Sequence, residues 1–220
     1  MTGIARRQLH IFLVLDCSGS MRGDRIASLN YALRTALPEL RAVAADNPEV
    51  EVRARILRFA SKAEWLTDAV PVGELKLQDL KADGETHMGD ALTMLGEALS
   101  KEALPGRQLP PVVVLASDGL PTDDVDAGLK AFFAADLAQT AIRLGIAIGG
   151  DADLDILDRF IANPAIKPLR ANRSAALVEH IKWATTAPVK AASAPTNSPD
   201  ALVPPANPTD TAPADSEIIW

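Results

Sequence analysis

The chain has 220 residues, 48% of them hydrophobic, and this length allows one domain of about 180 residues together with an appendage. A net charge of −7 argues against a nucleic-acid partner, because phosphate binding needs clustered lysine and arginine. The single cysteine, Cys17, and the three scattered histidines exclude an internal disulfide bond and a zinc site built from cysteine and histidine.

No targeting or membrane segment is expected. The apolar run after Arg7 is short, His10 interrupts it, and no small-residue cleavage site follows, so it lacks the form of a signal peptide. No stretch approaches the roughly 20 apolar residues of a membrane span. We therefore expect a cytoplasmic protein without membrane insertion.

Apolar runs alternate with amphipathic stretches, which is typical of a doubly wound α/β fold whose sheet is covered on both faces. The predicted elements, in chain order, are a strand at 9–15, a helix at 24–45, a strand at 50–59, a hairpin strand at 63–66, a loop at 75–89, a helix at 90–104, a strand at 112–116, a helix capped by Thr122, a strand at 140–148, a helix from Asp151 to Ile161, a strand at 166–170 and a helix from Asn172 to about Trp183.

The composition changes at Ala187, after which proline, alanine and small polar residues dominate. Such a segment buries too little apolar surface to offset the entropy of ordering it. We predict a domain at 1–186 and a disordered tail at 187–220. The tail ends in an apolar cluster at 218–220, which is either a docking motif or simply flexible.

The segment from Asp16 to Ser20, with sequence Asp-Cys-Ser-Gly-Ser, follows directly on the first strand. One carboxylate and two hydroxyls occupy alternate positions there. Oxygen donors suit a hard cation, chiefly Mg²⁺, with Mn²⁺ or Ca²⁺ as alternatives. Taken alone, the same residues could form a capped turn between a strand and a helix.

Two further loops carry oxygen donors. Thr86 lies in a glycine-containing loop before a helix, and Asp118 lies in a Ser-Asp-Gly sequence at the end of the strand at 112–116. Ligands bind open α/β sheets at the carboxyl ends of the strands, where the strand order reverses. We therefore expect the three loops to meet at this edge.

Together, the Asp-x-Ser-x-Ser sequence, Thr86 in its Gly-x-Thr-x-x-Gly-x-Ala setting and Asp118 in Ser-Asp-Gly resemble the metal-ion-dependent adhesion site of von Willebrand factor type A domains. The resemblance covers about residues 7–185. It implies a mostly parallel six-stranded sheet with one antiparallel edge strand and helices on both faces. It also implies that Ser18, Ser20 and Thr86 bind the metal by hydroxyl, and that Asp16 and Asp118 bind it directly or through water.

The same resemblance leaves the sixth coordination position to a glutamate or aspartate of a protein partner. Met21, His87 and Leu120 are the residues that we expect at the rim of the partner site. The segment at 12–23 is similar to the bacterial TerY-like group, which is associated with tellurite-resistance and stress operons. That similarity implies a phosphatase or kinase as partner.

The sequence supports a non-enzymatic, metal-dependent protein-binding module, since no general base is evident in the three motifs. One alternative is a phosphohydrolase that forms an aspartyl phosphate, which also has an aspartate after its first strand. That class needs a second aspartate two residues further on, where Ser18 stands. A scaffold that uses no metal is the other alternative.

Overall fold

The computed structural model describes residues 6–106 and 108–193 of the chain, and within them seven strands form one sheet flanked by five α-helices. The strands are β1 (Arg7–Asp16), β2 (Val50–Phe59), β3 (Ala63–Trp65), β4 (Val70–Pro71), β5 (Val112–Ser117), β6 (Ile142–Ile148) and β7 (Leu169–Ala171). The helices are α1 (Asp24–Ala45), α2 (Met88–Ala98), α3 (Val125–Ala134), α4 (Leu154–Ile161) and α5 (Ser174–Ser193), and a 3₁₀ turn spans Gly19–Met21.

The sheet is mostly parallel. Its strand order is β3-β2-β1-β5-β6-β7, and only β3, at one edge, runs antiparallel to its neighbour along this path. The two-residue strand β4 adds a second antiparallel pairing with β2. The predicted doubly wound sheet of six strands with one antiparallel edge strand is therefore confirmed, and β4 is a short addition to it.

The middle position of β1 creates the crevice in which a ligand can bind. Leu15 pairs with Arg58 of β2 on one side and with Ala116 of β5 on the other. The earlier strands β2 and β3 therefore lie on one side of β1, and the later strands β5, β6 and β7 lie on the other. Such a reversal of strand order opens a crevice at the carboxyl ends of the strands. Asp16, the last residue of β1, lies at this edge.

Two apolar cores cover the two faces of the sheet. Successive side chains of β1 point to opposite faces, so Leu13 packs towards α1 and α5, whereas Val14 packs towards α2, α3 and α4. Both side chains are buried, which fits a parallel strand at the centre of a covered sheet. Packing on both faces thus determines the position of the carboxyl end of β1.

The starts of α3 and α4 differ from the prediction. The caps are Asp124 for α3 and Asp153 for α4, and each carboxylate accepts a hydrogen bond from a backbone N–H of the first turn. Thr122 and Asp151, which were predicted as the caps, take part in other contacts. Each observed cap lies two residues after the predicted one, since several acidic or hydroxyl residues compete for the position in both loops.

The end of α2 also differs from the prediction. The helix spans Met88–Ala98 rather than residues 90–104. Leu99 and Leu104 nevertheless stay buried in the core formed with α3 and α4. The apolar periodicity therefore continues beyond the helix, and this continuation caused the error.

The last helix is longer than predicted. α5 runs to Ser193 instead of ending near Trp183, so residues 187–193 are helical and do not belong to a disordered tail. Val189 is fully buried, and the side-chain amide of Asn47 donates to its carbonyl at 3.3 Å. Residues 194–220, including the apolar cluster at 218–220, lie outside the described residues. No helix in the described part of the chain is both long and apolar enough to cross a bilayer.

Candidate metal centre

The carboxylate of Asp16 is held from two sides at the end of β1. The side chain is fully buried, its Oδ1 accepts from the backbone N–H of Ser18 at 2.8 Å, and its Oδ2 accepts from the hydroxyl of Ser117 at 2.5 Å. The Ser117 hydroxyl comes from the neighbouring strand β5. Two hydrogen bonds thus fix the orientation of a carboxylate that water does not reach.

A chain of hydrogen bonds joins the first loop to Asp118. The hydroxyl oxygens of Ser18 and Ser20 lie 2.9 Å apart, and the Ser20 hydroxyl donates to Oδ1 of Asp118 at 2.8 Å. Ser18 and Asp118 are buried, whereas Ser20 is exposed at the mouth of the crevice. The 3₁₀ turn at Gly19–Met21 turns the chain so that the two serines lie on the same side.

Thr86 reaches the same place from a third loop. Its backbone N–H donates to the hydroxyl of Thr122 at 3.0 Å, and its carbonyl accepts from the N–H of Thr122 at 2.9 Å. The hydroxyls of Ser20 and Thr86 lie 3.4 and 4.0 Å from the position that a Cβ on Gly119 would take. The structure therefore brings together all five oxygen-bearing residues that the sequence predicted, namely Asp16, Ser18, Ser20, Thr86 and Asp118.

A close approach of two backbones positions the Thr86 loop. The N–H of Gly19 donates to the carbonyl of Gly84 at 2.9 Å. A Cβ on Gly19 would lie only 3.0 Å from the same oxygen, so this position favours glycine. Asn30 of α1 also holds the loop, because its side-chain amide exchanges two hydrogen bonds with the backbone of Leu80.

The electrostatics of the site favour a cation. Burial raises the pKa of Asp16, hydrogen bonds from Ser117 and Ser18 partly offset this effect, and the nearby charge of Asp118 raises the pKa further. Two buried carboxylates close to each other repel, and a positive charge between them would relieve the repulsion. Because carboxylate and hydroxyl oxygens make up the donor set, the residues present fit a hard divalent cation.

Arg25 was not predicted as part of this site. Its Nη1 donates to Oδ2 of Asp118 at 2.6 Å, and its Nη2 donates to Oδ1 of Asp151 at 2.7 Å. Arg25 lies in the first turn of α1, and its two partners follow 93 and 126 residues later in the chain. No local sequence signal marks contacts of this kind, since the folded sheet is what brings the helix and the two loops together.

The predicted rim residues differ in their exposure. Leu120 is 66% exposed beside Asp118 and is one of two large apolar side chains exposed in the described part of the chain. The His87 side chain is a quarter exposed. The prediction for Met21 is wrong, because the 3₁₀ turn directs this side chain into the core, where it is fully buried.

A second group of possible ligands lies beside Thr86. Ligand atoms of His87, Asp90 and Asp123 are within 4.8 Å of one another. The Asp123 carboxylate, however, caps α2 by accepting from the N–H groups of Gly89 and Asp90 at 3.0 and 2.8 Å. The positive end of the helix dipole already interacts with this carboxylate. Helix capping therefore accounts for the position of Asp123.

The fold and the site define a class of protein, namely a doubly wound α/β domain with a cluster of oxygen donors at the switch point of its sheet. The family model for the von Willebrand factor type A domain matches residues 11–120, which is half of the chain. The matched segment includes all five oxygen-bearing residues. The chain belongs to the von Willebrand factor type A domain family.

Solved structures of distant relatives share the fold. The von Willebrand factor type A protein from Catenulispora acidiphila is 18% identical over 83% of this chain and 43% of its own, with a TM-score of 0.60. The pilus adhesin SpaC from Lactobacillus rhamnosus GG, in an open conformation, is 14% identical over 84% of this chain and 30% of its own, with a TM-score of 0.67.

A third similar structure is that of proximal thread matrix protein 1 from the mussel byssus, with its MIDAS motif occupied by zinc. It is 16% identical over 84% of this chain and 46% of its own, with a TM-score of 0.57. The chain therefore spans less than half the length of each of these three proteins. A search of curated proteins found no significant match.

Proposed function

We propose that the protein is a Mg²⁺-dependent protein-binding module whose metal is held by Asp16, Ser18, Ser20, Thr86 and Asp118. The observation that carries this proposal is the continuous hydrogen-bonded chain from Ser18 through Ser20 to Asp118, beside the buried Asp16. Membership of the von Willebrand factor type A family supports it, because divalent-metal-dependent protein interaction is common in that family. The zinc-occupied MIDAS motif of the mussel protein supports a divalent cation in general.

The residues of the site suit capture of a partner. Bound with two carboxylates and three neutral hydroxyls, a divalent cation would remain electrophilic and would accept a further carboxylate from outside. Ser20 lies at the exposed mouth of the site, and Leu120 offers an exposed apolar contact beside Asp118. An acidic side chain flanked by an apolar residue is the partner feature that matches this surface.

The surroundings of the site favour binding over catalysis. His87 is the nearest candidate for a general base along the chain, but its two ring nitrogens interact with Glu85 at 2.9 Å and Asp90 at 3.3 Å. Ser18 occupies the position at which an aspartyl-phosphate enzyme needs its second aspartate. A phosphatase assay with small phosphate esters tests the enzymatic alternative, and turnover that is lost in Asp16→Asn would establish it.

The cellular context remains a prediction from the similarity to the TerY-like group. This similarity predicts a role in a cytoplasmic stress response, with a phosphatase or kinase as partner. Capture of such a protein from a lysate in Mg²⁺, and its release by EDTA, would support this context. Capture that is equal in EDTA would contradict it and would favour the metal-independent scaffold.

Calorimetric titration with Mg²⁺ tests the proposed ligands. We expect saturable binding by the wild type, loss of at least about tenfold in affinity in Asp16→Asn, and little change in Asp90→Asn. Asp90 is a matched control because it is an exposed carboxylate close to the site, and its side chain interacts with His87 rather than with any of the five proposed ligands. Equal affinity in the wild type and Asp16→Asn would contradict the proposal.

A further inference from the structure

Arg25 is the cation that lies closest to the proposed metal ligands. Its guanidinium bridges Asp118 and Asp151, and its side chain is only 16% exposed. The group also rests on the backbone of Gly149, where a Cβ would lie 2.9 Å from Nη2. Gly149 has a φ of +91°, which is a conformation that glycine adopts without strain. Two loops, the one after β5 and the one after β6, thus fix the position of this positive charge.

The charge preference of a helix N-terminus does not explain why an arginine stands in the first turn of α1. An arginine in the first turn of a helix is disfavoured, because the N-terminal end of the helix dipole is also positive. The charged hydrogen bonds to Asp118 and Asp151 compensate for this cost. The contact therefore exists because of Asp118, which is one of the five proposed ligands.

The presence of Arg25 changes the charge balance of the site. Asp16 and Asp118 would neutralise a divalent cation, and Arg25 would then add one positive charge to these buried groups. Asp151, the second partner of Arg25, is 69% exposed, so solvent and salt screen its charge and it offsets that positive charge only in part. A guanidinium within hydrogen-bonding distance of a ligand repels a divalent cation at the same ligand. The positive charge that remains after loading attracts an anionic group from outside.

We propose that Arg25 tunes the site, weakening metal binding by the isolated protein and strengthening binding of a carboxylate by the metal-loaded protein. This inference rests on the proposed metal-dependent function. Arg25 makes metal and partner cooperative, since the charges of the buried groups are balanced only when both metal and partner are present. It is a positioning and charge-setting residue, and it is not a metal ligand itself.

The test measures Mg²⁺ affinity by calorimetry in the wild type, Arg25→Met, Arg25→Lys and Arg22→Met. We expect Arg25→Met to bind Mg²⁺ about tenfold more tightly and Arg25→Lys to stay within a few-fold of the wild type. Arg22→Met is the matched control, because it removes the same charge three residues earlier, just before α1. Arg22 pairs with the exposed Asp83 and not with a proposed metal ligand. This variant should stay within about twofold of the wild type.

A thermal measurement covers the case in which Arg25→Met is unstable without metal. Loss of Arg25 leaves the buried Asp118 without its cationic partner, so the melting temperature should fall in EDTA and rise on addition of Mg²⁺ by more than in the wild type. A purely structural role of Arg25 would lower the melting temperature equally in both buffers. That result, or an unchanged or weaker Mg²⁺ affinity in Arg25→Met, would overturn the inference.

Acetate is the probe for the expected effect of Arg25 on carboxylate binding by the metal-loaded protein. Titrated into the Mg²⁺-loaded proteins and followed by NMR, it should bind more weakly to Arg25→Met than to the wild type, and equal binding would contradict the proposal. The failure of the metal site itself gives a different pattern. If none of the four proteins shows saturable Mg²⁺ binding, the proposed function fails and this inference fails with it.

Discussion

Asp118 is the residue of the site at which two separate parts of the chain meet. One of its oxygens accepts from Ser20 and the other from Arg25, so the carboxylate connects the first loop to α1. The motifs in the sequence were sufficient to predict that Asp118 lies beside Ser20. They could not predict Arg25, and they placed Met21 at the rim because a motif does not show which way a 3₁₀ turn directs each side chain.

Replacement of Gly19 by alanine should weaken the site. The added Cβ would lie 3.0 Å from the Gly84 carbonyl and would displace the loop that carries Thr86. We expect a severalfold loss of Mg²⁺ affinity and a loss of about 1 kcal/mol in the free energy of unfolding. Gly73→Ala is the control, since no atom lies within 4 Å of its added Cβ. Calorimetry and urea denaturation give the two quantities.

His10 should make the stability depend on pH. Burial, together with the charge of Arg53, lowers the pKa of His10 from 6.5 to about 4, against the opposing effect of Glu51. Between these two values the unfolded chain binds a proton that the folded chain does not. The free energy of unfolding should therefore fall as the pH falls from 6.5 to 4, with a slope of at most about 1 kcal/mol per pH unit from this group.

Denaturation of the wild type and His10→Gln over this pH range measures that contribution. Glutamine cannot titrate, so the variant should lose part of the slope while other groups keep theirs. Identical slopes in the two proteins would show that His10 does not contribute.

Helices and strands were predictable where their own residues determine both ends. The helix at 24–45 and the strand at 50–59 match the prediction at each end, because the apolar period and the bounding residues agree there. Some predictions failed because neighbouring residues compete for a cap, as at α3 and α4, and others failed because another segment determines the end. Asp123, in the loop after β5, caps α2 from outside the helix, and packing of Val189 beside Asn47 extends α5 into an alanine- and proline-rich segment.

The cap of α2 gives a prediction that separates stability from metal binding. Asp123→Ala and Asp124→Ala should each cost about 1 kcal/mol in the free energy of unfolding, since each removes the cap of one helix. Only α2 follows directly on Thr86, so Asp123→Ala alone should also weaken Mg²⁺ binding. Urea denaturation and calorimetry on both variants test this. An equal effect of the two variants on Mg²⁺ affinity would contradict it.

The last turns of α5 should be needed for full stability. Truncation after Thr186 removes the buried Val189 and should cost about 2 kcal/mol or more relative to truncation after Ser193, which keeps it. Val189→Ala should reproduce part of the loss, and Lys190→Ala, at an exposed position, should not. Unfolding by urea measures all four. If the protein truncated after Thr186 is as stable as the one truncated after Ser193, residues 187–193 do not support the fold.

For the whole molecule, metal binding and folding should be coupled. The proposed ligands come from three loops that the complete sheet brings together, so the unfolded chain should have no comparable site. Mg²⁺ at about 100 times its dissociation constant should add about 2.7 kcal/mol to the free energy of unfolding. Urea midpoints measured over a series of Mg²⁺ concentrations should rise for the wild type and stay constant for Asp16→Asn. Constant midpoints for both proteins would contradict the coupling.

The direction of the parallel strands determines how the protein can be attached to a surface. β1 starts at Arg7, at the edge opposite the oxygen cluster, and the last turns of α5 lie next to Asn47 at that same edge. Both ends of the described domain therefore point away from Asp16 and Asp118. A biosensor chip that holds the described domain near Arg7 or near the last turns of α5 leaves the mouth of the crevice facing the solution, free to meet an analyte.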